Sequence, residues 1–236
     1  MDRDRSPLPL SIVIPVYNEG ANVRPLAEEI ERALDSRLRY ELIFVDDGSN
    51  DDTPDAIEAA IRDNPRIRSC RHDRNRGQSA AVRTGVKAAG AAVVAVLDGD
   101  GQNDPRDIPA LFGRLASVPS LQLVIGERKK RQDSWLRRMS SRVANSVRSR
   151  VLHDDVPDTG CGLKVFYRDA YLDLPAFDHM HRFLPALFQR NGGRVCSLPV
   201  NHRPRMAGVS KYGIHNRLWV GITDLFGVMW LQKRGF

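Results

Sequence analysis

The sequence predicts an α/β protein in which helices cover both faces of a mostly parallel β-sheet. Its short strand segments are apolar throughout and alternate with helical segments of ten or more residues, a pattern typical of parallel sheets that are buried on both faces. A polar cluster follows the first, second and fourth of these strand segments. With 236 residues, of which 42% are hydrophobic, the chain is long enough to bury one sizeable core.

The predicted elements follow one another from Leu10 to about residue 130. The run LSIVIPV is apolar and β-branched, as expected of a buried strand. The next segment, ANVRPLAEEIERALDS, places its apolar residues close to the 3.6-residue period of a helix. The remaining segments alternate as strand, helix, strand, helix, strand and strand: ELIFVDD, PDAIEAAIRD, IRSCRHD, QSAAVRTGVKAAG, AAVVAVL and LQLVIGER.

Three polar clusters stand at the ends of strands: PVYNE at the first, VDDGS at the second and LDGDGQ at the fourth. Ligands of open α/β sheets bind beyond the carboxyl ends of the strands. We therefore expect the three clusters to converge on one crevice, although they lie far apart in the sequence.

Several common sites of α/β proteins are missing from the sequence. Neither G-x-G-x-x-G after the first strand nor G-x-x-x-x-G-K-[ST] occurs, which argues against a dinucleotide oxidoreductase and a P-loop enzyme. The absence of a G-x-S-x-G elbow removes the simplest hydrolase. The three cysteines lie far apart without a C-x-x-C pair, so we expect no disulfide framework, no zinc site and a reducing, cytoplasmic setting.

Asp98 and Asp100 flank a single glycine at the end of a buried strand. Hard oxygen ligands on a tight turn suit Mg²⁺ or Mn²⁺, particularly where substrate phosphates complete the coordination shell. Gln102 could add an oxygen or orient a bound water. The alternatives are a solvated acidic turn and a calcium loop, but a calcium loop would have glycine in place of Asn103 and glutamate in place of Pro109.

Asp46 and Asp47 allow two roles. One carboxylate is expected to cap the turn that leads into the next helix. The other could accept hydrogen bonds from a nucleoside, because a buried carboxylate needs donors and a nucleoside offers hydroxyl and ring N–H groups. The sequence does not say which residue has which role.

Seven segments carry a resemblance to a known family. In chain order they are PVYNE (15–19), VDDGSND (45–51), RNRGQSAAVRTG (74–85), LDGDGQNDP (97–105), GER (126–128), GCGLKVF (160–166) and RPRMAGVSKYG (203–213). Together they resemble family 2 glycosyltransferases, and most closely the polyprenyl-phosphate branch that includes dolichyl-phosphate mannose synthase. Gly101 departs from the pattern, since such enzymes usually have leucine there; the metal ligands stay in place, but we expect a less rigid loop.

The resemblance implies a GT-A fold with a Rossmann-like central sheet, a bound nucleotide-sugar and Mg²⁺ or Mn²⁺. The residues implied to bind the nucleotide-sugar are Pro15, Tyr17, Glu19, Asp46, Asp47, Asp98 and Asp100. Those implied to hold the metal are Asp98, Asp100 and Gln102, and those implied to meet the acceptor phosphate are Arg128, Arg142, Ser146 and Arg205. The implied catalytic set is Asp98, Asp100, Arg128, Arg205 and Lys211, with Arg205 and Lys211 closing over the phosphates.

The implied reaction is inverting transfer of a sugar, foremost mannose or glucose, from a GDP- or UDP-sugar to a dolichyl or undecaprenyl phosphate. A phosphate monoester has a second pKa of about 6 and is already an anionic nucleophile at neutral pH. Such a site needs cations more than a general base, and the net charge of +7 favours anionic partners. Two alternatives stay open: a family 2 enzyme with a soluble or cell-surface carbohydrate acceptor and Asp158 as its base, or a non-catalytic scaffold that binds membrane or nucleic acid.

Residues 130–152 repeat apolar side chains every three or four positions and carry many arginines, which predicts a basic amphipathic helix suited to an anionic membrane surface. The alternative is a surface helix whose apolar stripe packs on the domain. Nucleic acid is not expected as a partner, because this segment lacks the aromatic platforms of such sites.

Residues 215–236 are predicted to form an interfacial helix after a catalytic domain of residues 1–214. The segment is too short to span a bilayer, which takes roughly 20 apolar residues, but it carries tryptophans and a basic end. A second copy of the chain or a small membrane protein would fit the same helix. We therefore expect a peripheral protein at the cytoplasmic face of the cell membrane.

Overall fold

The computed structural model describes residues 9–35, 37–128, 148–152, 154, 156–205 and 214–234, with the backbone alone for residues 214–220 and 222. The strands in these ranges form one sheet: β1 (Leu10–Val16), β2 (Tyr40–Asp46), β3 (Ile67–Arg71), β4 (Val93–Val96), β5 (Leu121–Arg128), β6 (Lys164–Tyr167) and β7 (Arg194–Val200). Their order across the sheet is β3-β2-β1-β4-β6-β5-β7. Only β6 is antiparallel to its neighbours among these strands, so the predicted mostly parallel sheet is confirmed.

Helices connect the strands in the predicted alternation as far as β4. The helices of the described ranges are α1 (Gly20–Leu34), α2 (Thr53–Asp63), α3 (Gln78–Ala88), α4 (Ile108–Ser117), α5 (148–152), α6 (Arg168–Leu172), α7 (Leu184–Arg190) and α8 (Ile214–Gln232). Short 3₁₀ turns span Pro105–Asp107 and Met180–Arg182. Consecutive residues of β2 are all buried, which shows that both faces of the central sheet are covered.

The order in which successive strands are placed in the sheet reverses at β1. From β1 it adds β2 and β3 on one side, and then crosses over to place β4 on the other side of β1. Such a switch point opens a crevice at the carboxyl ends of the strands. The ends of β1, β2 and β4 all lie there, which brings the three polar clusters to one place as predicted.

Helix α3 lies unusually close to β1 and β2 at Gly85. A β-carbon at this position would overlap Val13 Cγ1 and lie 2.9 Å from Val45 Cγ2. We expect Gly85→Ala to cost about 1–3 kcal/mol through overpacking. In Gly113→Ala, on α4, the new methyl group meets no atom within 4 Å, so the higher helix propensity of alanine should raise stability by up to about 1 kcal/mol. Urea unfolding of both variants checks this, and equal effects would contradict it.

Two strands, β6 and β7, are absent from the sequence prediction. β6 has only four residues, KVFY, and begins with the buried lysine Lys164. It inserts between β4 and β5, pairing antiparallel with both. β7, RVCSLPV, is only partly buried over most of its length and pairs with β5. Neither strand has the long apolar run that identified β1, β2, β4 and β5.

The C-terminal helix α8 packs against the domain along part of its surface. Val228 is fully buried, and Gln232 Nε2 donates to the carbonyl oxygen of Leu152 at 2.9 Å. Phe226 and Trp230 are 62% and 60% exposed. Among the described residues, no helix has the length and apolar character that crossing a bilayer requires. Most of the predicted basic helix over residues 130–152 lies outside the described residues, and its end at 148–152 is helical.

Candidate active site

Hydrogen bonds join the loops that follow β1 and β2. The backbone N–H of Asn18 donates to Ser49 Oγ at 2.9 Å, and that of Glu19 donates to Thr53 Oγ1 at 2.9 Å. Pro15, Tyr17 and Glu19 are all partly exposed at this end of β1. The residues implied to border a nucleoside therefore lie along one wall of the crevice.

Asp46 is the turn-capping member of the aspartate pair. Its Oδ1 accepts the backbone N–H of Ser49 at 2.9 Å, and its Oδ2 lies 3.1 Å from Arg71 Nε. The prediction that one of the two aspartates caps this turn is confirmed, and the structure assigns the role to Asp46.

Asp47 fixes the loop that precedes α3. Its Oδ1 accepts the backbone N–H of Arg76 at 2.9 Å, and its Oδ2 accepts that of Gly77 at 2.8 Å. His72 Nδ1 lies 2.6 Å from Oδ1, while Nε2 of the same ring lies 2.9 Å from Thr84 Oγ1. Asp47 thus positions the N-terminus of α3. No sequence motif indicated that this carboxylate contacts His72 and the loop before α3.

Asp98 lies at the end of β4 among fixed polar groups. Gln78, the first residue of α3, donates from Nε2 to Asp98 Oδ1 at 2.8 Å, and the backbone N–H of Asp98 donates to Asn103 Oδ1 at 3.2 Å. Gly162 allows the close approach, because a β-carbon there would overlap Asp98 Oδ2. Burial, followed by the charge of Asp100, raises the pKa of Asp98. The two carboxylates therefore favour a cation between them.

Arg205 supplies a positive charge at Asp100. Its Nη2 lies 2.9 Å from Asp100 Oδ2, and its Nη1 donates to Glu19 Oε1 at 3.0 Å. Asp100 Oδ1 accepts the backbone N–H of Gln102 at 3.1 Å. One guanidinium thus bridges the polar clusters that follow β1 and β4.

Asp98 and Asp100 fit a hard divalent cation. The described residues contain no group of three or more histidine, cysteine, aspartate or glutamate side chains arranged for a metal ion. The chain offers two carboxylates here, with the amide oxygen of Gln102 as the third candidate ligand. Mg²⁺ binds in this manner, with one or two carboxylates, and takes its other ligands from substrate phosphates and water.

Arg203 clamps the loop that carries both carboxylates. Its Nη2 donates to the carbonyl oxygens of Asn103 at 2.9 Å and Gly101 at 3.2 Å, and its guanidinium forms an ion pair with Glu29 on α1. Gly101 has a φ of 72°, a conformation that glycine adopts without strain. Glycine therefore suits this backbone, and Arg203 provides the anchoring that the sequence left in doubt.

Removing this clamp should loosen the metal loop. In Arg203→Ala we expect Tm to fall by several degrees, since Glu29 loses a partly buried partner. We expect the Kd for Mn²⁺ with UDP to rise about tenfold, because the loop must then be ordered on binding. Thermal unfolding and isothermal titration calorimetry measure the two effects. Arg24→Ala is the control, because it removes exposed ion pairs of α1, the helix that carries Glu29. An equal effect of this variant would contradict the role given to Arg203.

Arg128 forms a two-point ion pair with Asp158. Arg128 Nε and Nη2 each donate to one Asp158 carboxylate oxygen at 2.7 Å. The side chains are only 16% and 9% exposed, respectively. Within the described part of the chain, Nη1 of Arg128 has no hydrogen-bond partner. Asp158 is thus engaged by a cation, which makes it a poor general base.

Lys164 is a further cation of the site that the sequence prediction missed. Its side chain is buried, and Nζ donates to the carbonyl oxygen of Cys161. Burial lowers the pKa of Lys164, while the negative charges of Asp98 and Asp158 act in the opposite direction. A lysine at the start of a short apolar strand was the only available signal. Burial also raises the pKa of the Cys161 thiol, which agrees with an inert side chain.

The structure brings most of the predicted site residues together around the crevice: Pro15, Tyr17, Glu19, Asp46, Asp47, Asp98, Asp100, Gln102, Arg128 and Arg205. The predicted residues Arg142, Ser146 and Lys211 lie outside the described residues.

The same fold occurs in solved glycosyltransferases. Glucosyl-3-phosphoglycerate synthase from Mycobacterium tuberculosis, in complex with Mn²⁺, UDP-glucose and phosphoglyceric acid, matches with a TM-score of 0.74 at 18% identity, covering 95% of this chain and 79% of that chain. Its complex with Mg²⁺ and UDP matches with a TM-score of 0.73 at 19% identity, over 95% and 79% of the two chains. The expected GT-A fold is confirmed.

Curated relatives share more of the sequence. Dodecaprenyl-phosphate galacturonate synthase of Rhizobium johnstonii is 38% identical over 231 residues, which cover 96% of this chain and 68% of the relative. Undecaprenyl-phosphate 4-deoxy-4-formamido-L-arabinose transferase of Edwardsiella ictaluri is 37% identical over 210 residues, which cover 87% of this chain and 63% of the relative. The chain thus spans about two thirds of the length of these relatives. Residues 11–174 match the family model Glycosyl transferase family 2. The resemblance seen in the motifs is therefore confirmed, and the chain belongs to glycosyl transferase family 2.

Proposed function

We propose that this enzyme transfers a sugar from a nucleotide-sugar to a polyprenyl phosphate, with inversion at the anomeric carbon. The observation that carries the proposal is the meeting of one carboxylate pair, Asp98 and Asp100, with the cations Arg128, Lys164 and Arg205 around a single crevice. The names of both relatives, which specify polyprenyl-phosphate acceptors, support the choice of acceptor.

The donor side needs a divalent cation, for which Asp98, Asp100 and Gln102 are the proposed ligands. Mg²⁺ or Mn²⁺, when bound, supplies Lewis-acid stabilisation of the leaving diphosphate. Arg205 lies next to this site, with Nη2 at 2.9 Å from Asp100 Oδ2. Arg205 and Lys211 would pair with the donor phosphates. Pro15, Tyr17 and Glu19 line the nucleoside side, with Asp47 shaping its loop.

The acceptor phosphate needs no general base in this proposal. One of its anionic oxygens attacks C1 of the sugar while the bond from C1 to the diphosphate oxygen breaks, and the electron pair leaves with the nucleoside diphosphate. No proton has to be removed from the nucleophile. Arg128, whose Nη1 has no hydrogen-bond partner among the described residues, would hold the acceptor phosphate together with Arg142 and Ser146.

The pairing of Asp158 with Arg128 speaks against the carbohydrate-acceptor alternative. A sugar hydroxyl has to be deprotonated as it attacks, which requires a carboxylate free to take the proton. Asp158 is the candidate base in that alternative, and both of its carboxylate oxygens accept from Arg128 at 2.7 Å. A phosphate acceptor matches the cationic surroundings better.

A lipid acceptor places the enzyme at a membrane surface, and we propose the cytoplasmic face. The exposed Phe226 and Trp230 of α8, with the exposed Lys233 and Arg234 at its end, suit the boundary of an anionic bilayer. The three free cysteines agree with a reducing compartment.

Transfer of radiolabel from GDP- and UDP-sugars to undecaprenyl or dolichyl phosphate in detergent tests the proposal. The donor panel should include mannose, glucose, galacturonate and the formamido-arabinose of the relatives. We expect organic-extractable label that disappears with EDTA and with Asp100→Asn, but persists in the exposed control Asp63→Asn. Label appearing only in soluble carbohydrate, or nucleotide release without labelled lipid, would overturn the lipid acceptor.

A further inference from the structure

His181 is a histidine of the crevice that the proposed function leaves without a role. It lies on the 3₁₀ turn Met180–Arg182, against the first turn of α3. Its Nδ1 lies 2.7 Å from Ser79 Oγ, and its own backbone N–H donates to the same oxygen at 3.3 Å. One serine therefore holds both the backbone and the ring of this residue.

These two contacts assign the tautomer of the ring. A serine hydroxyl has one hydrogen to donate. Among the described residues Nδ1 is the only acceptor in contact with the Ser79 hydroxyl, so the arrangement that gives the hydroxyl hydrogen a partner directs it to Nδ1. The ring hydrogen of a neutral imidazole is then on Nε2. Burial, and next the positive charges of Lys164 and Arg182, lower the pKa of His181 well below its usual value, so the ring is neutral at physiological pH.

The Nε2–H group is an unused donor. In the described part of the chain no residue accepts a hydrogen bond from it, and His181 keeps partial exposure to solvent. Ser79 directly follows Gln78, which binds Asp98 at 2.8 Å. The charge of Lys164 acts on both Asp98 and His181. The donor therefore lies on the same side of α3 as the contact between Gln78 and Asp98, in surroundings whose cation Lys164 favours an anionic oxygen over a neutral hydroxyl.

We propose that His181, held by Ser79, donates its Nε2–H to an anionic oxygen of the acceptor phosphate. The inference rests on the proposed function and adds an acceptor-binding residue to it. A neutral imidazole suits this task, because a charged one would share its proton with a phosphate of similar acidity and weaken the nucleophile. The diphosphate of the nucleotide-sugar also offers anionic oxygens. The test therefore has to distinguish a hydrogen bond to the acceptor phosphate from one to this diphosphate.

The test compares His181→Phe, which removes the donor but keeps a ring, with His181→Gln, whose amide N–H can reach the position of Nε2. Steady-state transfer gives KM for polyprenyl phosphate and for the donor, and calorimetry gives the Kd of UDP with Mn²⁺. We expect His181→Phe to raise KM for the lipid phosphate on the order of tenfold to a hundredfold, since a hydrogen bond to a charged group is lost. His181→Gln should recover part of that loss. The Kd of UDP should not change.

His179→Asn is the matched control. His179 is two residues away, and its Nδ1 contacts Asp224 of α8 at 3.1 Å; its φ of 60° is one that asparagine tolerates. The control should keep the wild-type KM for the lipid phosphate.

Three outcomes would overturn the inference. A rise in the Kd of UDP or in the KM for the nucleotide-sugar would show that His181 binds the diphosphate of the nucleotide-sugar and not the acceptor phosphate. An equal loss in His181→Phe and His181→Gln, together with a lower Tm, would show a structural residue. If the wild-type protein transfers no label to any polyprenyl phosphate, the proposed function itself has failed and the inference falls with it.

Discussion

Asp98→Asn is expected to reduce sugar transfer by about three orders of magnitude while leaving the protein at least as stable as the wild type. Asparagine keeps the shape of the side chain and an oxygen for the hydrogen bond from Gln78, but it lacks the negative charge that a divalent cation requires. Losing one metal ligand removes the stabilisation of the leaving diphosphate, which is worth several kcal/mol. Burial and the charge of Asp100 raise the pKa of Asp98, so the ionised carboxylate is itself destabilising at neutral pH. The neutral amide relieves that repulsion.

Thermal unfolding with and without Mn²⁺ and UDP separates these two effects. We expect the Tm of the wild type to rise with the ligands, whereas Asp98→Asn should start at an equal or higher Tm and show little rise. Asp63→Asn, an exposed carboxylate on α2, should behave as the wild type. If Asp98→Asn kept more than a tenth of the transfer rate, the carboxylate pair would not be the metal site.

Asp158→Ala is expected to destabilise the fold by about 3–5 kcal/mol, a fall in Tm of roughly 10 °C. The variant leaves Arg128, whose side chain is only 16% exposed, without the carboxylate that accepts its Nε and Nη2. A buried charge without a partner carries its full desolvation penalty. Replacing both residues by apolar ones, as in Arg128→Met with Asp158→Leu, should recover much of the stability although it removes activity.

Urea unfolding of the single and double variants measures the coupling between the two residues. Asp35→Ala, which breaks an ion pair with Arg66 in which both side chains are more than 40% exposed, is the control and should cost less than about 1 kcal/mol. Equal effects of the two alanine variants would mean that Asp158 does not hold a buried charge.

The local patterns of the sequence were sufficient for the first half of the fold. Strands such as LSIVIPV and ELIFVDD are buried over nearly every residue, as in sheets covered on both faces. Because parallel strands end at the same edge, the position of the polar clusters at strand ends also predicted their meeting in one crevice. The motifs then predicted the family, which the comparisons confirm.

The later strands and several site residues could not be found in this way. β6 is identified by its partners β4 and β5 and not by its own four residues. The partners of Arg203 on α1 and in the metal loop lie 174 and 100 residues away in the chain. No spacing rule relates residues so far apart, so only the folded backbone shows that Arg203 anchors this loop.

The sequence by itself thus determined the alternation of strands and helices, the edge where a ligand binds and the residue types available there, because these depend on periodicity and on chain direction. The tertiary structure alone decided how the charges are paired. Asp46 caps a turn, Asp47 binds the loop before α3, Arg128 pairs with Asp158, and the ring of His181 lies against Ser79. Hydrogen bonds act over about 3 Å, and which groups come that close depends on the packing of distant segments.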